Sequence, residues 1–147
     1  MPERNEKLLA DKMLSKTKYL YGLQCPKYLW AYYHEPESIP PPDNETLHLF
    51  DQGHRVGRLA KGLFPEGIDV PTTNSSINIA CTQELIQQRK ALFEAGIIID
   101  ELYSRIDIFN PTGEDAWEII EVKSSTSVKE VNIHDVSFQK YCCTRAG

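Results

Sequence analysis

The chain has 147 residues, of which 41% are hydrophobic, 25% charged and 10% aromatic, and its formal net charge is −5. This composition is that of one globular domain, and it excludes collagen-like, disordered and strongly basic proteins. The longest apolar run near the middle, Ile97–Ile99, is far too short to cross a bilayer. The charged N-terminal segment lacks the apolar core of a secretory signal. We therefore expect a cytoplasmic protein with no membrane partner.

The N-terminal part of the chain predicts helices separated by breaks. Ser15 is suited to cap a first helix through Lys18, Tyr19 and Leu20, and Pro26 is suited to open a second. Apolar residues spaced by three and four predict a longer third helix further on. The remaining predicted elements are the second helix over Lys27–Tyr33, an irregular stretch over His34–Asn44, the third helix over about Glu45–Leu63, an extended piece at Ile68–Val70 and a helix over about Ile77–Arg89. The capping candidates Asn74, Ser75 and Ser76 precede this last helix.

The C-terminal part changes to the two-residue alternation that is typical of strands. It predicts strands at Ala91–Ile99, Leu102–Phe109 and Ala116–Lys123, a turn at Asn110–Asp115, and a last helix over about Ile133–Tyr141. Consecutive strands with short turns favour an antiparallel meander, so we predict the α/β class with an α+β order of elements. The chain should be a single domain over 1–147, with a helical part at about 1–90 and the sheet and last helix at about 91–147.

Three charged residues lie in the two later strands. Asp107 is flanked by isoleucines, and Glu121-Val122-Lys123 ends the next strand. If side chains alternate between faces, Asp107 points away from its isoleucine neighbours, and Glu121 and Lys123 share a face. A carboxylate among apolar residues needs compensation, which a divalent cation shared by Asp107 and Glu121 would supply. The alternative is a surface aspartate beside a Glu–Lys pair of the sheet, which is worth little stability.

This pattern of one aspartate followed by Glu-x-Lys resembles the PD-(D/E)XK nuclease superfamily, and within it the RecB-like branch, which includes the CRISPR-associated exonucleases. Asp107 matches the first acidic position, and Glu121-Val122-Lys123 matches the E-x-K. The segment Phe50–Gly57 resembles the upstream histidine motif of the branch. In such enzymes that histidine binds metal, so the resemblance gives His54 this role.

Two further segments carry the resemblance. Gln139 and Tyr141 resemble the Q-x-x-x-Y motif of the branch, although the spacing here is Q-x-Y. The segment Ser15–Trp30 resembles the entry of a family of uncharacterised bacterial RecB-like nucleases, and the likeness spans about Leu14–Tyr141. It implies a restriction-endonuclease-like core with an N-terminal helical extension.

The activity implied by the resemblance is hydrolysis of DNA phosphodiester bonds with Mg²⁺ or Mn²⁺, as an exonuclease. The metal would activate water and neutralise charge on the phosphate, and the lysine would assist the attacking water. The implied roles are catalysis by Asp107, Glu121 and Lys123, metal binding by His54, Asp107 and Glu121, and substrate binding by Gln139 and Tyr141.

The four cysteines, Cys25, Cys81, Cys142 and Cys143, form no C-x-x-C pair, and we expect them mostly to pack as small apolar side chains. In related exonucleases, a Cys-Pro near the N-terminus and three later cysteines bind an iron–sulfur cluster, and Cys25 fits the first position. The adjacent Cys142 and Cys143 do not match the spread later ligands, and a cluster typically needs four thiolates. We therefore expect no assembled cluster in this chain, and Cys25, the one candidate ligand, becomes a stronger candidate if the native chain is longer.

Basic and aromatic residues alternate near the N-terminus. Such a mixture suits single-stranded nucleic acid, or it belongs to an amphipathic helical pair whose aromatic residues form core. We expect DNA as the partner, with single strands or ends favoured. The residues concerned are Lys12, Lys16, Lys18, Lys27, Tyr19, Tyr21, Tyr28 and Trp30.

Two other functions stay open at the level of sequence. One is a non-catalytic or truncated nucleic-acid-binding module, which the acidic net charge favours. The other is a fragment of an iron–sulfur-containing RecB-like exonuclease. Because no strand follows the last helix, we also expect the native sheet to continue past Gly147 and its open edge to promote self-association.

Overall fold

The computed structural model describes residues 13–147, in which helices pack on a small sheet. Residues 1–12, which belong to the predicted helical part, lie outside the described residues. The helices are α1 (Lys16–Gln24), α2 (Pro26–His34), α3 (Asn44–Lys61), α4 (Ser75–Leu85) and α5 (Glu130–Ala146), with short 3-10 turns at Pro36–Ser38 and Ile86–Gln88. The strands are β1 (Leu14–Ser15), β2 (Ile68–Asp69), β3 (Leu92–Ile99), β4 (Leu102–Thr112) and β5 (Ala116–Ile120).

The sheet is mixed, which confirms the α/β class. Strands β3, β4 and β5 form the predicted antiparallel meander. Two short strands, β1 and β2, add parallel pairs on β4 and β3 respectively, and the resulting order is β1-β4-β3-β2 with β5 also on β4. Each parallel strand contributes only two residues, too few to show periodicity, and the sequence therefore gave no signal for β1.

The helix starts follow their capping residues as predicted. The Ser15 hydroxyl accepts a hydrogen bond from the Lys18 amide at 3.3 Å, and Pro26 occupies the first turn of α2. Asn74 accepts from the Ile77 amide at 2.8 Å and so starts α4. These side chains satisfy amides that lack partners within the helix. Short-range chemistry therefore fixes where the helices begin.

The predicted turn at Asn110–Asp115 is wrong in length, because β4 continues beyond Asn110 and pairs with the start of β5. Asn110 lies opposite Glu118, and its amide donates to the Glu118 carboxylate at 2.7 Å. This cross-strand pair extends the ladder through residues that a sequence pattern assigns to a turn. The tight connection itself contains Gly113, whose φ of 61° suits glycine.

Strand β3 is irregular at Glu94, whose φ of 61° is uncommon for a residue with a side chain. Regular pairs flank this position on both sides, at Phe93 with Ile108 and at Ala95 with Ile106. Between these two pairs, Glu94 of β3 lies opposite Asp107 of β4. Ile106 and Ile108 consequently pack in different halves of the core. The prediction that Asp107 points opposite to both of its isoleucine neighbours is therefore wrong, because the irregularity reverses the alternation at this point.

The two halves of the core lie on opposite faces of the sheet. The larger half contains Leu92, Ile106 and Phe109, against which α4 and the end of α5 pack. The smaller half contains Phe93 and Ile108, with the residues around the end of α3 against it. Helices on the sheet faces thus bury the strands that carry Asp107 and lead to Glu121.

Helix α3 contributes little to this core, because it has no buried residue. Several large apolar side chains in and just after it are exposed, namely Leu47, Leu49, Phe50, Leu59 and Leu63. In residues 13–147, no helix combines the length and the apolar character needed to cross a membrane.

Candidate active site at the end of strand β5

Asp107 lies where the pairing of β4 with β5 stops. The last regular pair joins Ile108 to Ile120, and at the next positions the Val122 amide donates to Asp107 Oδ2 at 2.9 Å. Since a side chain replaces the backbone as acceptor, β5 ends at Ile120 and the strand predicted to reach Lys123 is shorter. The same register brings Asp107 opposite Glu121. Both carboxylates therefore lie at one end of the meander.

The Glu121 carboxylate is the centre of a buried charged network. Its side chain is only 5% exposed. Oε1 accepts from Lys123 Nζ at 2.5 Å, and Oε2 accepts from Gln139 Nε2 at 2.6 Å and from Lys16 Nζ at 3.1 Å. Hydrogen bonds between charged groups are stronger than neutral ones, especially where water is excluded. The carboxylate is thus held by three donors from three different elements.

Asp135 on α5 is the second carboxylate of the network, and the sequence analysis missed it. Its side chain is 2% exposed, accepts hydrogen bonds from Lys123 Nζ at 2.9 Å and from Gln139 Nε2 at 2.8 Å, and forms an ion pair with Lys16 Nζ at 3.2 Å. Asp135 and Gln139 are four residues apart and therefore share one helix face, which Cys142 continues. The sequence signal that could have identified Asp135 is the occurrence of polar residues on the buried face of this helix.

Lys16, in the first turn of α1, is the other member of the network that the sequence did not connect with these carboxylates, since it was expected only among the basic residues near the N-terminus. It contacts both oxygens of Glu121, at 3.2 and 3.1 Å, and Asp135 at 3.2 Å. Lys16 is separated from Glu121 by 105 residues, so no local pattern links them. Only the packing of α1 against α5 brings its ammonium to the sheet.

The electrostatic surroundings differ between the two carboxylates. Burial raises the pKa of Glu121; the Lys16 ammonium opposes this, and the nearby Asp107 raises it further. Burial acts on Asp135 in the same direction, but Lys16 and the hydrogen bonds from Lys123 and Gln139 outweigh it and lower its pKa. Burial alone would lower the pKa of Lys123, yet its hydrogen bonds to Glu121 and Asp135 raise it above the ordinary value. Lys123 is therefore an ammonium at neutral pH.

One atom of the network has no partner within the described part of the chain. Gln139 is fully buried, and its hydrogen bonds to Glu121 and Asp135 both use Nε2, so Oε1 remains without a donor. A buried acceptor without a partner costs roughly 1–3 kcal/mol of stability. Such atoms in a native structure point to a role other than stability.

A groove of about 560 Å³ opens beside the network. Glu121 and Lys123 form one end of it, and the other walls come from the loop after β5 and from the start of α5. The lining residues are the polar Ser125, Thr126, Ser127, Asn132 and Ser137 and the apolar Val128, Ile133 and Val136. Lys123 is 37% exposed and is thus the charged residue of the network most open to solvent.

A second, uncharged network supports the irregular part of β3 opposite Asp107. The Asn78 amide on α4 donates to the Glu94 carbonyl at 2.8 Å and to the Pro71 carbonyl at 2.9 Å, and accepts from the Tyr103 hydroxyl at 2.7 Å. Thr82 accepts from the Gly96 amide at 2.9 Å. These bonds occupy backbone groups near the irregular residue of β3.

Three sequence-predicted site residues lie apart from this arrangement. His54 is exposed on α3, and Tyr141 is exposed on α5. Cys25 is exposed between α1 and α2. Across residues 13–147, no three histidine, cysteine, aspartate or glutamate side chains are placed to hold one ion together. The structure thus brings together Asp107, Glu121, Lys123 and Gln139, but not His54.

The donors present suit a hard divalent ion. Asp107 and Glu121 offer only oxygen atoms and lie close enough for one charge to affect the other. Magnesium binds through one or two carboxylates and keeps several water ligands, so a pair of carboxylates fits it. In this arrangement, ammonium groups and an amide occupy the Glu121 oxygens.

The chain matches no protein-family model, and neither a curated protein nor a solved structure is significantly similar to it.

Proposed function

We propose that this protein is a metal-dependent nuclease that hydrolyses DNA phosphodiester bonds, built on a restriction-endonuclease-like core with an N-terminal helical extension. The observation that carries the proposal is that Asp107, Glu121 and Lys123 converge at the end of β5 beside a groove. Two carboxylates and a lysine at one point are the groups that metal-assisted phosphate hydrolysis needs. The irregular residue opposite Asp107 adds support, because backbone strain is concentrated at functional sites.

In this proposal Asp107 and Glu121 hold Mg²⁺ or Mn²⁺, with His54 a further ligand only if α3 moves toward them. The ion, when bound, lowers the pKa of a water molecule and neutralises charge on the phosphate. Asp107 is kept in place by the Val122 amide, and Glu121 by Gln139. Fixed carboxylates reduce the reorganisation needed during the reaction.

Lys123 acts on the phosphate in this proposal, because its raised pKa keeps it protonated. An ammonium cannot accept a proton from water, so its contribution is electrostatic. Hydrolysis adds water across one P–O bond and increases the negative charge on the phosphate oxygens as the bond breaks. Lys123 lines the groove and can donate hydrogen bonds to those oxygens, and its hydrogen bond to Asp135 keeps the ammonium in position.

Exposed aromatic residues support a single-stranded or frayed substrate. Trp30, Tyr32 and Tyr33 on α2 are all partly open to solvent. Exposed aromatic side chains can stack on unpaired bases. This surface offers base contacts without needing a strongly basic protein.

The test is cleavage of a labelled single-stranded oligonucleotide with Mg²⁺ or Mn²⁺. We expect Lys123→Ala to lose roughly 100-fold or more in rate, the scale of one electrostatic group in a transition state, while Mn²⁺ binding persists. Asp107→Ala should lose both cleavage and Mn²⁺ binding. Lys140→Ala, at an exposed position of α5, is the matched control and should cleave normally. Unchanged cleavage by Lys123→Ala would contradict the proposal.

A non-catalytic nucleic-acid-binding module is the second candidate. It is favoured by the occupied oxygens of Glu121, which are already neutralised by ammonium groups. In that case the same oligonucleotide binds with equal affinity with Mg²⁺ or with EDTA, and no product forms. Loss of binding in a Trp30→Ala variant would then identify the α2 surface as the contact.

A further inference from the structure

Lys16 differs from the other members of the charged network in where it comes from. Glu121 and Lys123 follow β5, and Asp135 belongs to α5, whereas Lys16 arrives from the N-terminal helix α1. Its ammonium lies 3.1 Å from Glu121 and 3.2 Å from Asp135, and its side chain is 17% exposed. It therefore bridges the two most buried carboxylates of the site.

We propose that Lys16 is a resident cation of this site. Its ammonium neutralises Glu121 and Asp135 when no divalent ion is bound, and it competes with a divalent ion for Glu121. The inference rests on the proposed function, since it concerns the same metal site. It assigns to Lys16 a positioning role rather than a contact with substrate.

The charges of the network support this assignment. Asp107, Glu121 and Asp135 carry three negative charges, and Lys16 and Lys123 carry two positive ones, so the network without metal has one net negative charge. A buried carboxylate without a partner is strongly destabilising, and an ion pair offsets part of that cost. The two lysines therefore allow the site to fold without an ion.

The two lysines are not equivalent in this respect. Lys123 is more than twice as exposed as Lys16 and lines the groove, so it can turn toward a phosphate. Lys16 does not itself line that groove, and it contacts both oxygens of Glu121. A divalent ion at Glu121 meets the fixed Lys16 ammonium at close range, where the two positive charges repel. Removal of the Lys16 charge should therefore strengthen metal binding.

The experiment measures Mn²⁺ affinity by calorimetry, and Tm in EDTA and in Mn²⁺, on the full chain. Lys16→Met should bind Mn²⁺ roughly tenfold more tightly than wild type, because a repelling charge is lost. It should also have a lower Tm in EDTA and a larger gain in Tm on adding Mn²⁺. Lys16→Arg keeps the charge and should stay close to wild type. Lys140→Met removes the same charge at an exposed position and is the control.

A purely structural lysine predicts the opposite sign, since a disordered site binds metal less well. Unchanged or weaker Mn²⁺ binding in Lys16→Met would overturn the inference while leaving the proposed function intact. A wild-type chain that binds no Mn²⁺ would overturn the proposed function and the competition with it. If Lys16→Met does not fold, Lys16→Gln keeps an N–H donor for the carboxylates but no charge, and the same tighter binding is expected of it.

Discussion

Two buried polar networks lie within the fold, and they are built differently. The neutral network joins Asn78 and Thr82 on α4 to the backbone of β3 and to Tyr103. The charged network joins Lys16, Glu121, Lys123, Asp135 and Gln139 almost entirely through side chains. The first supports the backbone, whereas the second arranges side chains around one carboxylate.

The difference indicates which network is available for chemistry. Both hydrogen-bonding atoms of the Asn78 amide are paired. Two of its partners are backbone carbonyl groups, which a ligand cannot replace. The charged network contains an acceptor without a partner, Gln139 Oε1, and a lysine at a groove. A fully paired network is expected to rigidify the fold. A network whose hydrogen-bond partners can be exchanged for those of a ligand is expected at a binding site.

The largest effect is expected from removing a charge inside the charged network. Asp135→Asn leaves Lys16 and Lys123 with one carboxylate instead of two, and breaking a buried pair costs about 3 kcal/mol of unfolding free energy. The measurement is urea unfolding in EDTA. Asp69→Asn is the matched control, because Asp69 pairs with Lys61 at the surface, where such pairs are worth less than about 1 kcal/mol. Equal losses in the two variants would show that the network is effectively solvated.

A somewhat smaller loss is expected from the neutral network. Asn78→Ala removes three hydrogen bonds and leaves buried partners unpaired, for an expected cost of about 2–3 kcal/mol in urea unfolding. Asn132→Ala removes a single exposed capping bond and should cost no more than about 1 kcal/mol. The Asn78 variant should keep its Mn²⁺ affinity per folded molecule. A loss of affinity would mean that the two networks are coupled through β3 and β4.

Ser104 offers a change of the opposite sign. Its side chain is fully buried on β4, and its hydroxyl has no partner within the described residues. Ser104→Ala removes an unpaired polar atom with little change in volume, so we expect a gain of up to about 1 kcal/mol in unfolding free energy. Thr82→Ala, which removes a hydroxyl with two partners, should instead destabilise. A loss of stability in Ser104→Ala would reveal a partner for that hydroxyl.

The smallest effect concerns reaction rates of thiols and not stability. Cys142 continues the buried face of α5 and Cys143 beside it is half-buried, and burial raises the pKa of Cys142 to about 11 and that of Cys143 to about 12. The thiolate is the reactive form, so both should resist alkylation at pH 7.5 in the native protein. The exposed Cys25 should react first. Mass spectrometry after brief iodoacetamide treatment gives the order, and rapid labelling of Cys142 would show that the end of α5 is open.

The sequence by itself determined the features that depend on neighbouring residues. Ser15, Pro26 and Asn74 placed the starts of three helices, because a cap or a proline acts on amides within the next turn. The alternation of apolar residues gave the three strands of the meander. It also brought Asp107 and the Glu121–Lys123 segment into adjacent strands, since short connections leave few ways to pair them.

Only the tertiary structure decided which residues complete the site around Asp107 and the Glu121–Lys123 segment. Lys16 and Asp135 reach Glu121 through the packing of α1 and α5, and contacts between distant parts of the chain leave no periodic trace in the sequence. The irregular Glu94 is likewise held by Asn78 from another element, so a rule of strict alternation could not find it. His54 shows the reverse case, because a local motif named it and the exposed helix α3 does not carry it to the carboxylates.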